Sequence, residues 1–368
     1  MAKRKSKVTR FGEDTICNEL CTIHGDRMIE KGDQILNSIL DLKNISVSPA
    51  LDEALGGGLM EGQVVVMTGD PKTGKSVTCL HFAAKAQAAG KRVYYVDVEQ
   101  RLERKHLEGI RGLSVNDVNV IGPHDGEKSA EDYLNMLTDI TKTDEGAVII
   151  VDSVSNMLPK EEMEGDITAN VRAKLPRLLA IFLKRTAGYI RKNRIIMICI
   201  THNIANTGGT AYSPQKKSDS GNQLQYQAST NMVITHKERW QGPTATDDDL
   251  GQKVNWLIKT SAAGGIPNTK TESWIRYGIG IDESKEIVGA ATDLTLVRKA
   301  GAWYTFEALA EDIDNKKIQK LLKEEGVDIK NEEEVEKFFK VQGMDSASAF
   351  LDKYPLLFDI LHEKLKAL

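Results

Sequence analysis

The chain has 368 residues, a formal net charge of −4 and 28% charged side chains. This length suits one large core with smaller appendages, and the near-balanced charge excludes a surface evenly coated for polyanions, so any nucleic-acid contact must come from local clusters. No apolar run approaches a membrane span and the opening MAKRKSKVTR lacks the apolar stretch of a secretory signal, so a cytoplasmic protein without membrane contact is expected. The four cysteines, Cys17, Cys21, Cys79 and Cys199, do not suggest a disulfide scaffold. Cys17, Cys21 and His24 have spacings compatible with one helical face. A metal site would need a fourth ligand that the neighbouring sequence does not offer, and small core or interface cysteines are the preferred reading.

After a loose basic start, residues from about 14 to 42 read as mostly helical, with Ile16, Leu20, Ile35, Ile39 and Leu42 at helix-compatible spacings. ALGGGLMEGQ is a glycine-rich turn region. Short β-branched runs then alternate with helical stretches: QVVVMT leads into KSVTCLHFAAKAQAAG, a helix closed by Gly90, and RVYYVD, AVIIVD and RIIMICIT repeat the pattern. Continuous apolar strands separated by helices imply a parallel sheet buried on both faces, an α/β fold. NMVITH, KVNWLIKT and TESWIRYG follow without long helices between them, so an antiparallel edge is expected. From about residue 307 the chain turns helical and highly charged, and SASAFLDKYPLLFDILHEKLKAL reads as two short helices with Pro355 near the start of the second.

The stretch GDPKTGKS, Gly69 to Ser76, fits G-x-x-x-x-G-K-[ST] between a strand and a helix. Gly69 and Gly74 let the backbone curl so that successive N–H groups of Asp70, Pro71's neighbours, Lys72 and Thr73 can face phosphate oxygens. Lys75 can reach the β- and γ-phosphates, and the Ser76 hydroxyl can ligate Mg²⁺. Asp152, at the carboxyl end of AVIIVD, supplies the carboxylate that such a site needs for the metal. It is followed by Ser153 and not by a second acid, so a base to activate water must lie elsewhere. Glu99, two residues past Asp97, is the preferred base, with an exposed loop glutamate as the alternative. The guanine-reading Asn-Lys-x-Asp pattern is absent, which favours ATP.

These residues, with VDSVSNMLPKEEMEGDI, SGNQLQYQAS, RKAGAWY and ISVSPALDEALGGGL in that family's motif roles, give a chain that resembles the RecA family of DNA recombinases and is comparable with its phage members. The resemblance covers residues 45 to 306 and extends more loosely into the C-terminal part. It implies a RecA-type P-loop core with a mostly parallel central sheet flanked by helices over 45–306, a basic helical oligomerisation segment over 1–44 and a helical C-terminal domain over 307–368. It implies a DNA-dependent ATPase, located in a bacterial or phage-infected cytosol, that forms helical filaments on single-stranded DNA and exchanges strands with a homologous duplex. Single-strand-binding and mediator proteins are implied as partners. Val77, Glu103 and His106 join the nucleotide site by the same likeness, with His106 either stacking on adenine or standing as a solvated helix residue. His202 takes the position that senses the γ-phosphate. The DNA loops are implied at about residues 161–171 and 203–222.

Gly165, Arg172, Arg177, Lys184, Ile204, Tyr212, Lys216, Lys217, Gly221 and Asn222 are the DNA-contact candidates. The second loop reads as lacking strand or helix pattern, so function and plain solvation both stand for it. Arg177 and Lys184, seven residues apart, share one side of a helix. Tyr226 belongs either to a contact between protomers or to the core. The likeness has departures. Lys259 is expected to reach a neighbour's ATP, but the second lysine of that stretch is missing, leaving Lys259 alone or with Lys270 as substitute. No acidic run precedes Leu368, so autoinhibition by an acidic tail is not expected. Two rivals share the core: a hexameric helicase-type motor, which would bring a larger N-terminal collar, and a mediator paralogue that exchanges no strands.

Overall fold

The computed structural model describes residues 15–25, 29–124, 126–165, 174–205, 216–218, 222–242 and 249–367. The chain divides into two compact units, Met1–Lys43 and Asn44–Leu368. The first contains helices Thr15–His24 and Gly32–Leu40. In the second of these helices Ile35, Leu36, Ile39 and Leu40 are all exposed. The basic opening MAKRKSKVTR lies outside the described residues.

The larger unit is built on one sheet of strands β1 (Gln63–Gly69), β2 (Val93–Asp97), β3 (Val118–Ile121), β4 (Val148–Asp152), β5 (Ile196–Ala205), β6 (Thr230–Gln241), β7 (Asp249–Thr260), β8 (Thr269–Arg276) and β9 (Gly280–Ile281). Their spatial order is β9-β8-β7-β6-β1-β5-β4-β2-β3. The run from β6 through β3 is parallel, and β7, β8 and β9 continue it antiparallel. The expected mixed sheet is therefore present, with a short edge strand β3 that the apolar pattern did not single out.

Alternation along β1 explains its unbroken apolar run. Val65 and Met67 face one hydrophobic cluster with Cys79, Leu80, Phe82 and Ala83 of helix α1 (Lys75–Ala88). Val64 and Val66 face the other, with Tyr133, Leu134 and Leu137 of α2 (Ala130–Thr143) and Leu179, Phe182 and Leu183 of α3 (Lys174–Lys192). A strand covered on both sides needs apolar residues at every position. Cys79 and Cys199 are buried in these clusters, and Cys21 is buried in the smaller unit, so these three are packing residues; Cys17 is half-buried. α1 ends at Ala88, and Gly90, at φ +76°, turns the chain out of it.

Two expectations are corrected. A third cluster begins at Ile287, in α4 (Glu283–Asp293), and gathers Val297, Phe306, Leu322, Phe339, Leu351, Leu357 and Leu361. RKAGAWY, expected to end the core, joins no strand of the large sheet: Arg298–Ala300 and Trp303–Thr305 form a separate antiparallel sheet with Lys340–Gln342, and only that last strand lies in the stretch expected to be helical. Tyr304 and Thr305, buried on that small sheet, draw the chain toward the C-terminal helices. The second loop also carries strand structure. β5 runs on to Ala205, and Lys216–Ser218 pairs antiparallel with Asn203–Ala205, placing Lys217 opposite Ile204. Extension past the core is stabilised by backbone pairing, which an apolar-pattern reading does not detect. The two final helices, Met344–Lys353 and Pro355–Lys366, fall where expected, with Pro355 at the first helical position.

Candidate functional site

The parallel strands deliver their carboxyl ends to one edge of the sheet, and the chemistry collects there. β1 ends at Gly69, and α1 begins at Lys75 with Gly74 at φ +94°. A Cβ on Gly74 would lie 2.3 Å from Ile275 Cδ1 and 2.9 Å from Gln252 Nε2, so glycine alone fits this turn. Thr73 Oγ1 donates to the Asp70 carbonyl at 2.8 Å, tightening the loop. The buried Lys75 Nζ donates to the carbonyls of Gly69 at 3.0 Å and Asp70 at 2.8 Å. Burial pushes its ammonium down, against the raising charges of Asp152, Glu99 and Asp70. Pro71 and Lys72 are exposed at the tip, and Lys237 Nζ donates to the Lys72 carbonyl at 3.1 Å. Val77 packs its side chain against the α1-side cluster.

The Ser76 hydroxyl acts on the Asp152 carboxyl, and Tyr95 Oη donates to Asp152 Oδ2 at 2.6 Å. Burial raises the Asp152 carboxyl, partly offset by these two hydroxyls. Glu99 stands beside them, its side chain only 9% exposed. Ser153 Oγ donates to Glu99 Oε1 at 2.9 Å, His202 Nε2 lies 3.0 Å from the same oxygen, and Arg101 Nη1 lies 2.8 Å from Oε2. Burial raises the Glu99 carboxyl, but the His202 and Ser153 hydrogen bonds and the Arg101 charge outweigh it and hold it below its usual value. The His202 backbone N–H donates to Ser155 Oγ at 3.1 Å, and Asn203 Nδ2 donates to Asp70 Oδ1 at 3.1 Å. Thr68 and Thr201 share a hydrogen bond of 2.9 Å beneath them. The loop after β1 is thus tied to β5 through Asn203, and the acid after β2 is tied to β5 through His202.

Sequence reading missed Ser153, Tyr95, Arg101 and Asn203. In the sequence Ser153 shows only as the residue after Asp152 that is not a second acid. Tyr95 and Asn203 are recognisable once strand register is known, because Asp97 aligns with Asp152 and Gly69 with His202.

Other expected residues are placed apart. Glu103 caps the short helix Arg104–Glu108 and pairs with Lys105, while His106 Nδ1 accepts from the Glu103 backbone N–H at 3.2 Å. His106 is half-buried within that capping arrangement, on the helix Arg104–Glu108. Lys259 is exposed near the end of the antiparallel β7. Its neighbour Thr260 aligns with Asn231 and Asn231 with Val66, short of Gly69, so Lys259 is not among the groups gathered in its own loop.

Gly165 follows the helix Lys160–Glu164. Arg177 and Lys184 are both exposed on α3, opposite its buried Leu179, Phe182, Leu183 and Thr186. Ile204, Lys216 and Lys217 lie on the paired strands, and Asn222 opens the helix Asn222–Gln227. Arg172, Tyr212 and Gly221 lie outside the described residues. Tyr226 is 78% exposed, which removes the core-packing reading for it.

A strand-loop-helix turn of the phosphate-binding kind at the carboxyl edge of a parallel sheet, with Ser76, Asp152 and Glu99 beside it, defines a P-loop nucleoside triphosphatase. A family model described as the RecA N-terminal domain matches residues 24–282, more than half of the chain. Protein RecA of Limosilactobacillus reuteri (strain DSM 20016) is 31% identical over 293 residues, 77% of this chain and 77% of that protein. Protein RecA of Acholeplasma laidlawii (strain PG-8A) is 29% identical over 74% of this chain and 80% of its own length. That of Campylobacter jejuni subsp. doylei is 28% identical over 83% of each. The chain belongs to the RecA family, and its function is that of a RecA-type recombinase, a DNA-dependent ATPase that binds nucleotide and DNA and self-assembles. Among the described residues no helix is long and apolar enough to cross a membrane.

Proposed function

We propose that the loop from Gly69 to Ser76 binds ATP with Mg²⁺, and that turnover there controls a helical filament of this chain on single-stranded DNA in a bacterial or phage-infected cytosol. The observation that carries this reading is the convergence of Lys75, the Ser76–Asp152 pair and Glu99 at one sheet edge. Ser76 and Asp152 fit the cation: both offer oxygen donors, and a buried carboxylate whose proton affinity is raised gains most from a positive neighbour. Mg²⁺, when bound, neutralises charge developing on the phosphates. Lys75 exchanges its two carbonyl acceptors for phosphate oxygens. Glu99 orients the water that attacks the γ-phosphorus; His202, on the same Glu99 oxygen, carries the state of the site along β5 toward Ile204 and the strand paired with it.

Lys259 serves a neighbouring protomer's ATP, consistent with its distance in register from its own loop. Residues 1–44 form the arm that grips the next protomer, the ATPase core starts at residue 45, and the C-terminal domain is the part packed on the cluster that begins at Ile287. The exposed Tyr226 belongs to the contact between protomers. Arg177 and Lys184 hold DNA phosphates, and single-strand-binding and mediator proteins regulate loading. A joint-molecule assay with purified protein, ATP and homologous DNA tests the whole reading: joint molecules form with the parent chain and fail with Lys75→Ala. Closed rings by electron microscopy with ATP and single-stranded DNA would instead favour the hexameric motor. ATP turnover indifferent to DNA would favour the mediator.

A further inference from the structure

Among the described residues three side chains hydrogen-bond or ion-pair with Glu99, and one differs from the others in kind. Ser153 and His202 both address Oε1 from the sheet edge. Arg101 addresses Oε2, and its side chain is 78% exposed. The loop is shaped for this approach. Asp97 accepts at 3.1 Å from the backbone N–H of Arg101 and at 3.0 Å from that of Leu102, and Gln100 adopts φ +53° between them. A left-handed backbone is disfavoured for a residue other than glycine, so the turn depends on such anchors. It folds the chain back after Glu99 and brings the guanidinium of Arg101 over the carboxylate.

A guanidinium at 2.8 Å acts on a base in two ways. Its charge lowers the proton affinity of Oε2, and a weaker base gains less from a proton transfer. The guanidinium also stands at the oxygen that Ser153 and His202 do not address. The Arg101 end of the pair lies in solvent and is held loosely, so thermal motion opens it readily.

We propose that Arg101 is a positioning residue that brakes ATP turnover, holding Glu99 Oε2 away from the attacking water until the pair opens. This rests on Glu99 being the base, as read above. Lys75, Asp152 and His202 are the other charged or titratable groups around Glu99, and all remain in Arg101 variants.

The test is steady-state ATP turnover of the full chain, with and without a single-stranded oligonucleotide, for the parent, Arg101→Ala, Arg101→Lys and Glu99→Gln. Arg101→Ala raises the DNA-free kcat about two- to five-fold, the range an exposed ion pair can supply, with KM for ATP unchanged. Arg101→Lys falls between parent and alanine, because it keeps the charge but not the planar fork. Added salt raises the DNA-free kcat of the parent toward that of Arg101→Ala and leaves the latter nearly flat, a response that a merely structural residue would not give. An unchanged or lowered DNA-free kcat in Arg101→Ala, with Glu99→Gln still impaired, overturns the brake alone. Full turnover by Glu99→Gln overturns the base assignment and the brake with it.

Discussion

Replacing Glu99 by glutamine separates chemistry from binding more cleanly than any other single change in this site. The amide keeps an acceptor where Ser153 Oγ, at 2.9 Å, and His202 Nε2, at 3.0 Å, meet Oε1. What it loses is the negative charge. The pair with Arg101 disappears, but at 78% exposure that guanidinium is largely solvated and the loss is at most about 1 kcal/mol. For a chain of this size that moves the melting temperature by about 2–4 °C or less. Lys75, Ser76 and Asp152 keep their mutual contacts, so affinity for Mg·ATP changes little. Turnover, however, loses a positioned base, whose usual contribution is about 10²- to 10⁴-fold, or roughly 3–5 kcal/mol of activation free energy. Phosphate release at saturating ATP and single-stranded DNA, paired with equilibrium binding of a nucleotide, measures both quantities. A kcat within threefold of the parent, with binding intact, would refute the assignment of Glu99. Slow turnover with intact binding should also lengthen filament lifetime, because hydrolysis no longer weakens the interface.

Three further outcomes follow from particular residues. Burial raises the Glu286 carboxyl to about 8, with the Ala50 backbone N–H donating to Oε2 at 3.0 Å. The folded chain therefore keeps a proton that the unfolded chain releases above about pH 4.5, and stability from this group is complete below that value and falls as pH rises toward 8. Glu286→Gln should flatten that decline and exceed the parent's urea midpoint above pH 8; superimposable midpoint curves would contradict it. Arg177→Ala and Lys184→Ala, both on the exposed side of α3, should each reduce the slope of log affinity for single-stranded DNA against log salt by about 0.7, and an unchanged slope would remove that residue from the phosphate contacts. Tyr226→Ala, at a side chain 78% exposed, should leave unfolding stability within about 0.5 kcal/mol while raising the protein concentration needed for assembly; sedimentation indistinguishable from the parent would exclude it from the interface.

The phosphate loop was legible in the sequence because its requirements are local. Gly69, Gly74, Lys75 and Ser76 act through backbone curl and a helix start within one short stretch, and the buried runs on either side announce strand and helix by their period. Asp152 and Glu99 could be read for the same reason, since each terminates or follows a buried strand. Sequence period also identified the solvent side of α3, where Arg177 and Lys184 lie opposite Leu179 and Phe182.

What tertiary structure alone decided is how separate strand ends meet. Ser153 and His202 share one oxygen of Glu99 only because β4 lies between β5 and β2, an order that the chain does not state. The exposure of Tyr226, the pairing of Lys217 with Ile204 and the departure of Trp303–Thr305 to a second sheet likewise depend on partners distant in sequence. Local sequence sets the backbone preference and apolar face of each element. Which faces and ends come together is a property of the packed whole, because burial and hydrogen bonding reward combinations of elements that no single segment specifies.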